Sequence, residues 1–571
     1  MEQIDRRVER VIGDRSASLG PDARGARVRS STISDSSRGL HDKRPETVNP
    51  SAGDLEFNAA DEARDVEGRL DGFARGAESA RVMDLEDVLR ESQSTAREFI
   101  NAEEEYILAV LRLLIQRHQW GPRFFNDVTA SANITPDGTG DFSSAARIVN
   151  EFRVTQRLPY GGDIEARALW EASQQLRSVA GDQYRTASEL SVSANIPLLR
   201  DAGLIAQEDI IQAERDVIYA ARDFERFRRE FFVSISTDYF DLLASAQAIA
   251  NEAVRLENLL QERDRMGALV DAGRRSPFEL SSIEQDVLGS RNSLYNQQES
   301  YRVSLDRFKI RLGLPVEQEL ALAPVSLELP EPEVSLLAAS EAALMYRLDY
   351  QNAMDRFDDA RRDLLNARNQ LLPDLNVGLS ATARSDPESD DKKGFTVDLN
   401  DTDFLASVTF GLPLDREIER LGLRTSLINA QRQARDLDER RDSIVLEARA
   451  AVRNIELARL SIRLRGAQVQ QNERRLVEIK INEAVVDTQD RLQAEADLLN
   501  ARNALANAKR DLRVAILNYL LATDQLRVGV DGGLVPLVGM TVREGDPIDP
   551  APMVPIGEGL DETGPAGADG G

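Results

Sequence analysis

An internal repeat constrains this chain more than any other feature of its sequence. Asp286, Arg291, Asn292 and Leu294 recur as Asp497, Arg502, Asn503 and Leu505, a constant offset of 211 positions (286 to 497). The same offset relates Asn296 to Asn507, Arg302 to Arg513 and Val303 to Val514. Upstream, Pro197 and Leu198 correspond to Pro413 and Leu414, offset by 216 (197 to 413). Repetition on this scale makes the chain two copies of one supersecondary unit, not the several unrelated domains its length alone would allow. The first repeat is predicted over 81–314, a linker or equatorial segment over 315–335, and the second repeat over 336–526. Residues 1–80 are polar and rich in Ser, Arg, Asp and Gly, and 527–571 are rich in Pro and Gly; both are expected to be disordered.

Each repeat mixes two periodicities. Leu242, Ala246, Ile249, Ala253, Leu256 and Leu260 form one heptad seam, and Leu498, Ala501, Leu505, Ala508, Leu512, Ala515 and Tyr519 another; the small residues permit close helix approach. Phe224, Phe227, Phe231, Phe232, Tyr239 and Phe240 fall at helical spacing and are expected in a core, not in a substrate site. Against this stand short runs of β-formers bounded by turn residues: Phe124 to Ile134, Ile148 to Leu158, Asp163 to Trp170 and Ser188 to Ile196 in the first half, Asp374 to Ala383 and Phe404 to Leu412 in the second. They suit tilted barrel strands, which need about 9–11 residues to cross a bilayer. The helix lengths are related: 84–118 and 277–312 placed end to end match 201–271, and 336–371 with 488–523 match 416–484. Two short helices stacked beside one long one make a cylinder of roughly 100 Å at ~1.5 Å per residue.

Composition narrows the chemistry. The chain has no cysteine and two histidines, His41 and His118, which disfavours thiol nucleophiles, disulfides, structural zinc and His-based triads. A formal charge of −27 disfavours nucleic acid as a partner. No apolar run reaches the 18 residues of a membrane helix, which leaves a β-barrel open. The opening stretch, Met1 to Arg10, is charged and lacks the apolar core of a secretory signal, so export is expected to depend on a start upstream of this Met. No catalytic, cofactor-binding or metal-ligating set is expected.

These residues resemble the TolC-like outer-membrane efflux protein family. Leu85 to Leu89 is similar to the family's opening helix motif, Val154 to Gly162 and Asn195 to Gly203 to its strand and strand-to-helix motifs, and Arg347, Leu348 and Asp349 to the start of its second repeat. The resemblance spans 84–524. It implies a mainly α fold with β: a long antiparallel coiled-coil helical barrel plus transmembrane β-barrel strands. It also implies a homotrimer in outer-membrane lipid, each copy giving four strands to a 12-stranded barrel and its helices to a periplasmic tunnel. Such a channel is the exit duct of an efflux pump or type I secretion system, partnered by a periplasmic adaptor and an inner-membrane transporter. The first half carries four strand candidates where the family needs two, so 148–170 is expected to be an inserted hairpin. A cytoplasmic coiled-coil scaffold is the alternative, favoured by the heptads and the missing signal.

A passive duct needs a lumen and a gate, and the turns between the helices are the candidates. Gly273, Arg274, Arg275 and Glu483 are predicted to dock the adaptor; Gly273 and Pro277 fit a helix stop and restart, and the basic pair also fits an ordinary solvated turn. Glu279 and Asp490 are related by the repeat offset of 211. The resemblance implies an Asp-x-x-Asp constriction at the second tip; here Asp490 keeps the first acid and Gln493 replaces the second. A ring of three Asp490 carboxylates would attract cations, with Asp487 and Glu279 nearby. Both acids also satisfy the preference of helix starts for negative charge.

Overall fold

A computed structural model describes residues 2–19, 26, 80–136, 142–177, 184–323, 335–385, 402–481 and 488–529. The predicted disordered arm beyond these, the linker residues 324–334 and the tail from 530 lie outside the described residues.

Helix α1 (Glu2–Leu19) corrects the expectation for the first part of the arm. Its Val8, Ile12 and Ser16 are buried at four-residue spacing, a single narrow stripe on a charged helix that packs against α3 (Arg97–Gln119) and α4 (Glu208–Asp271). The first repeat continues with β1 (Arg81–Met83), α2 (Leu85–Thr95) and α3, strands β2 (Arg123–Pro136), β3 (Phe142–Arg157), β4 (Asp163–Arg177) and β5 (Tyr184–Pro197), then α4 and α5 (Pro277–Leu312). The second contains β6 (Leu320–Leu322), α6 (Leu336–Tyr346), α7 (Leu348–Asn369), β7 (Asp374–Arg384), β8 (Thr402–Gly411), α8 (Glu417–Ile481) and α9 (Thr488–Ala522). β1 and β6 pair in parallel and tie the openings of the two repeats together.

The stacked-helix arrangement is present. α4, 64 residues and about 96 Å long, lies against α3 and α5; α8, 65 residues, lies against α6, α7 and α9; and α4 also contacts α7 and α9, joining the halves side by side. The first short helix of each repeat is broken, not continuous as expected. Ala96 and Arg347, each following an 11-residue helix, take ψ of 125° and 121° before the chain re-enters the helix. Neither break carries Gly or Pro. Ala96 is fully buried and Arg347 is 1% exposed, so packing and ion pairing, not local propensity, hold these bends.

The main core gathers where these elements meet. Phe224, Phe231, Phe232, Tyr239 and Phe240 are buried in it as expected, with Phe99 edge-on to Phe224 and Phe231 at 5.8 and 5.6 Å. Leu526 and Val528 are buried there too, and Arg228 donates to the carbonyls of Val528 and Gly529, both at 3.1 Å. The first residues of the expected tail are thus docked, because the buried Arg228 guanidinium needs acceptors. A second core of Ile249, Leu256, Leu259, Met266, Ile283, Val287 and Leu294 holds the far half of the α4–α5 hairpin.

Candidate functional site

β2, β3, β4, β5, β7 and β8 form one sheet in that order, every pair antiparallel. All six strand candidates are therefore strands of a single surface. Its register sorts the side chains into two faces. One row of cross-strand partners runs Ala130, Ile148 and Ala172; another runs Val154, Ala166, Val192, Ala381 and Phe404; a third runs Ala194, Leu379 and Ala406. This face is apolar and uncovered: Phe404 is 81% exposed, Val408 71% and Ile134 68%. In a soluble protein such a face would be covered, since exposed contiguous apolar patches rarely exceed a few hundred Å².

The opposite face carries charge, and the charges pair across strands. Arg153 of β3 lies 3.8 Å from Asp127 of β2, and Glu151 of β3 lies 3.8 Å from Arg167 of β4. Arg167 reaches Glu189 of β5 at 3.5 Å, Glu189 meets Arg384 of β7 at 3.2 Å, and Arg384 meets Asp403 of β8 at 3.7 Å. Arg147 and Glu171 pair at 2.7 Å in a neighbouring row. The ladder touches every strand of the sheet. In the sequence the alternation is loose because small residues occupy many positions on both faces; the register resolves it.

At the other end of the helices, the turn between α4 and α5 is built by backbone chemistry. Gly273 sits at φ 71° and the amides of Gly273 and Arg274 donate to the carbonyls of Val270 and Leu269 at 2.8 and 2.9 Å, a Schellman ending that demands a left-handed residue. Ser276 then caps α5, its hydroxyl accepting from the Phe278 amide at 3.3 Å, with Pro277 opening the helix. Arg274 and Arg275 are exposed, and Arg275 pairs with Glu279 at 3.3 Å. Glu279 and Asp490 each occupy the third residue of a helix, α5 and α9. Asp490 is exposed, and Gln493 turns along α9 to donate to Asp497 at 2.9 Å. Asp487 and Glu483 lie outside the described residues. The two tips are adjacent: Arg491 pairs with Glu262 across α9 and α4, and Gln489 donates to Ser282 at 3.5 Å. Ser276 and Arg491 fall within the tip segments read from sequence but gain their roles, cap and ion pair, only in the structure, and the 79% exposed Phe278 has no signal in the spacing; the Ser-Pro pair is the visible signal for the cap.

Between sheet and tips, the Arg347-Leu348-Asp349 motif acquires a physical role. Arg347 grips Asp349 at 2.7 Å and also pairs with Glu447 of α8; Asp349 is further held by Arg226 of α4 at 3.1 Å and by Arg440 of α8. Burial alone would raise the Asp349 pKa, but hydrogen bonds from Arg347 and the charges of Arg226, Arg347 and Arg440 pull it down to about 2. A cavity of about 960 Å³ opens nearby, lined by Tyr106, Asp216, Tyr219, Asp223, Asp359 and Asp436 among others. Burial raises the Asp223 carboxyl above its usual range. Among the described residues, no cluster of His, Asp and Glu is arranged to hold a metal ion, and no helix is long and apolar enough to cross a membrane.

No protein-family model and no curated protein sequence matches this chain. Solved structures do. The outer-membrane channel OprN is 16% identical with a TM-score of 0.57, the match covering 79% of this chain and 90% of OprN. The CmeC outer membrane channel of Campylobacter jejuni is 14% identical with a TM-score of 0.58, over 77% of this chain and 85% of CmeC. The outer membrane protein VceC of Vibrio cholerae is 14% identical with a TM-score of 0.56, over 77% of this chain and 95% of VceC. Identities this low establish shared architecture, and that architecture, paired long helices leading into an antiparallel sheet, is the TolC-like fold of outer-membrane channels.

Proposed function

We propose that this chain is the outer-membrane duct of a tripartite efflux pump or type I secretion system, a homotrimer that moves cargo passively and is gated at its helical tips. The uncovered apolar face of the sheet carries this reading. Lipid is the solvent that such a face fits, and a barrel is the only sheet that satisfies its backbone there. A cytoplasmic scaffold would leave Phe404, Val408, Phe410 and their neighbours in water, so the alternative loses its support. Placing arginine on the lipid side, Val408→Arg, is expected to cost about 2–4 kcal/mol near the bilayer midplane, whereas Thr409→Arg on the opposite face is expected to be tolerated. Yields of heat-resistant oligomer from outer membranes compare the two; equal yields would remove the lipid assignment.

The adaptor and, beyond it, the inner-membrane transporter would engage the tips, with Gly273, Arg274, Arg275 and Glu483 at the docking surface. Asp490, with Glu279, Asp487 and Gln493 around it, would form the constriction. The exposure of Asp490 at the start of α9 supports this role; Glu279, drawn to Arg275, supports it less. Asp490→Ala is expected to lower the cation-to-anion permeability ratio several-fold in planar bilayers. An unchanged ratio would leave Asp490 as a helix-start residue alone.

A further inference from the structure

The number of strands leads beyond a generic duct, to an inference that rests on the trimeric channel reading. In the second repeat two strands, β7 and β8, connect the upper helix to the long one; in the first repeat four strands do so. The duplication itself locates the surplus. The helix break at Ala96 recurs at Arg347, 251 positions later (96 to 347), whereas at the end of the strands Pro197 recurs at Pro413, only 216 later (197 to 413). The offset falls by 35 (251 − 216) across the strand region. β3 and β4 with their turn run from Phe142 to Arg177, a segment of 36 residues (142 to 177) that accounts for this change.

This hairpin lies within the sheet, not on it. β3 pairs with β2 along its length, and β4 pairs with β5 from Asp163 and Asn195 to Gln174 and Tyr184. Its Ile148 and Trp170 continue the uncovered apolar face, while Arg153 and Arg167 carry the ion-pair ladder through it. Its turn is fastened to the start of α4: the Gln207 side-chain amide donates to the Pro159 carbonyl at 2.6 Å, and the Gly203 amide to that of Tyr160 at 2.9 Å.

Among the described residues, β2 and β8 are the two edges of this sheet. Open edges do not persist in hydrocarbon, where each unpaired backbone group costs several kcal/mol. With six alternating strands, β2 and β8 run in opposite directions, so β8 of one copy continues the antiparallel pattern when it meets β2 of the next. We propose that the β3–β4 hairpin is an expansion of the membrane wall, and that three copies of this chain close a barrel of 18 strands (three times six) through β8–β2 contacts. Two strands from each repeat would have given 12. At a strand spacing of about 4.8 Å and a tilt of about 40°, the backbone diameter rises from about 24 Å to about 36 Å. The mouth is then far wider than a helical tip needs, and the size limit on cargo lies at the tip.

Cryo-electron microscopy of the full-length protein purified from outer membranes in detergent, viewed along the three-fold axis, tests this directly. Six wall strands per copy and a wall about 36 Å across are expected. The chain has no native cysteine, so single cysteines can be combined across the edge. Phe125→Cys or Asp127→Cys on β2, paired with Ser407→Cys or Thr409→Cys on β8, is expected to yield disulfide-linked trimers for at least one pairing. A trimer with four wall strands per copy and β3–β4 lying off the wall, or β8 cysteines linking to β4 (Arg167→Cys) instead of β2, would overturn the wide barrel and leave the duct standing. A protein that is not trimeric in the outer membrane would overturn both.

Discussion

Replacing Gly162 with alanine is expected to stop the first-repeat strands from assembling, at a cost above about 4 kcal/mol, the exceptional range that overpacking combined with strain at a special φ/ψ can reach. Gly162 ends the turn between β3 and β4 at φ 84°, and its carbonyl accepts from the Leu158 amide at 3.0 Å. A Cβ there would sit 1.8 Å from the Asn195 carbonyl oxygen and 2.9 Å from the Pro197 ring. Neither atom belongs to a flexible side chain. Relief would require separating β4 from β5 where the chain leaves the sheet for α4. Gly203, also left-handed at φ 76° but with open space around its missing Cβ, separates the two effects: Gly203→Ala should cost only the conformational penalty of about 1–2 kcal/mol. Urea unfolding of refolded protein in detergent measures both, and equal losses would mean that the close approach at Gly162 is unimportant.

Arg347→Met is the second large loss, up to about 3–5 kcal/mol, because it takes from the buried Asp349 the guanidinium that grips it and leaves that carboxylate to Arg226 and Arg440 alone. Arg347 holds the bend between α6 and α7 to Glu447 of α8, and its partner Asp349 draws in Arg226 and Arg440. The pH dependence has a definite sign. The Asp349 pKa is lowered from 3.8 to about 2, so its stabilisation, about 2 kcal/mol at ~1.36 kcal/mol per pH unit, is present above the unfolded value and fades as pH falls from about 4 towards 2. Without Arg347 the folded pKa moves back up, and stability should depend less steeply on pH in that window. Chemical denaturation at steps between pH 6 and pH 2 reads both effects. A variant with wild-type stability and an unchanged acid slope would show that the cluster is dispensable.

Much of this architecture was legible from residue spacing, and the parts that were not share a cause. The strands announced themselves through β-formers bounded by Gly and Pro, and the length match between long and stacked helices survives in α4 and α8. Their order in one sheet was not legible, since register depends on partners far away in the chain. The bends at Ala96 and Arg347 were missed for the same reason: no Gly or Pro marks them, and their geometry is imposed by α8 and the core. α1 was passed over because one apolar residue per turn, Val8 then Ile12, is too narrow a stripe to stand out among its charges. At the tips, Gly273 and Pro277 were readable as a stop and a restart, whereas the Arg491–Glu262 pairing between hairpins could come only from packing. Asp490 and Gln493 lie one turn apart on α9, and the permeability ratio of Asp490→Ala tests their role at the constriction.

The ion pairs on the polar face of the sheet run across the strands, so each arginine is answered within 4 Å by a carboxylate on the next one. Opposite charges at that separation form short dipoles whose field dies away much faster than that of a single charge. Physiological salt removes what is left over about 8 Å, less than half the radius of the proposed 18-strand wall, about 36 Å across. The middle of such a mouth is electrically quiet water, neither drawing in cations from outside nor holding back an anionic cargo. In the proposed duct, discrimination by charge would then belong to the tip, and release at the cell surface would be as fast for one sign of cargo as for the other.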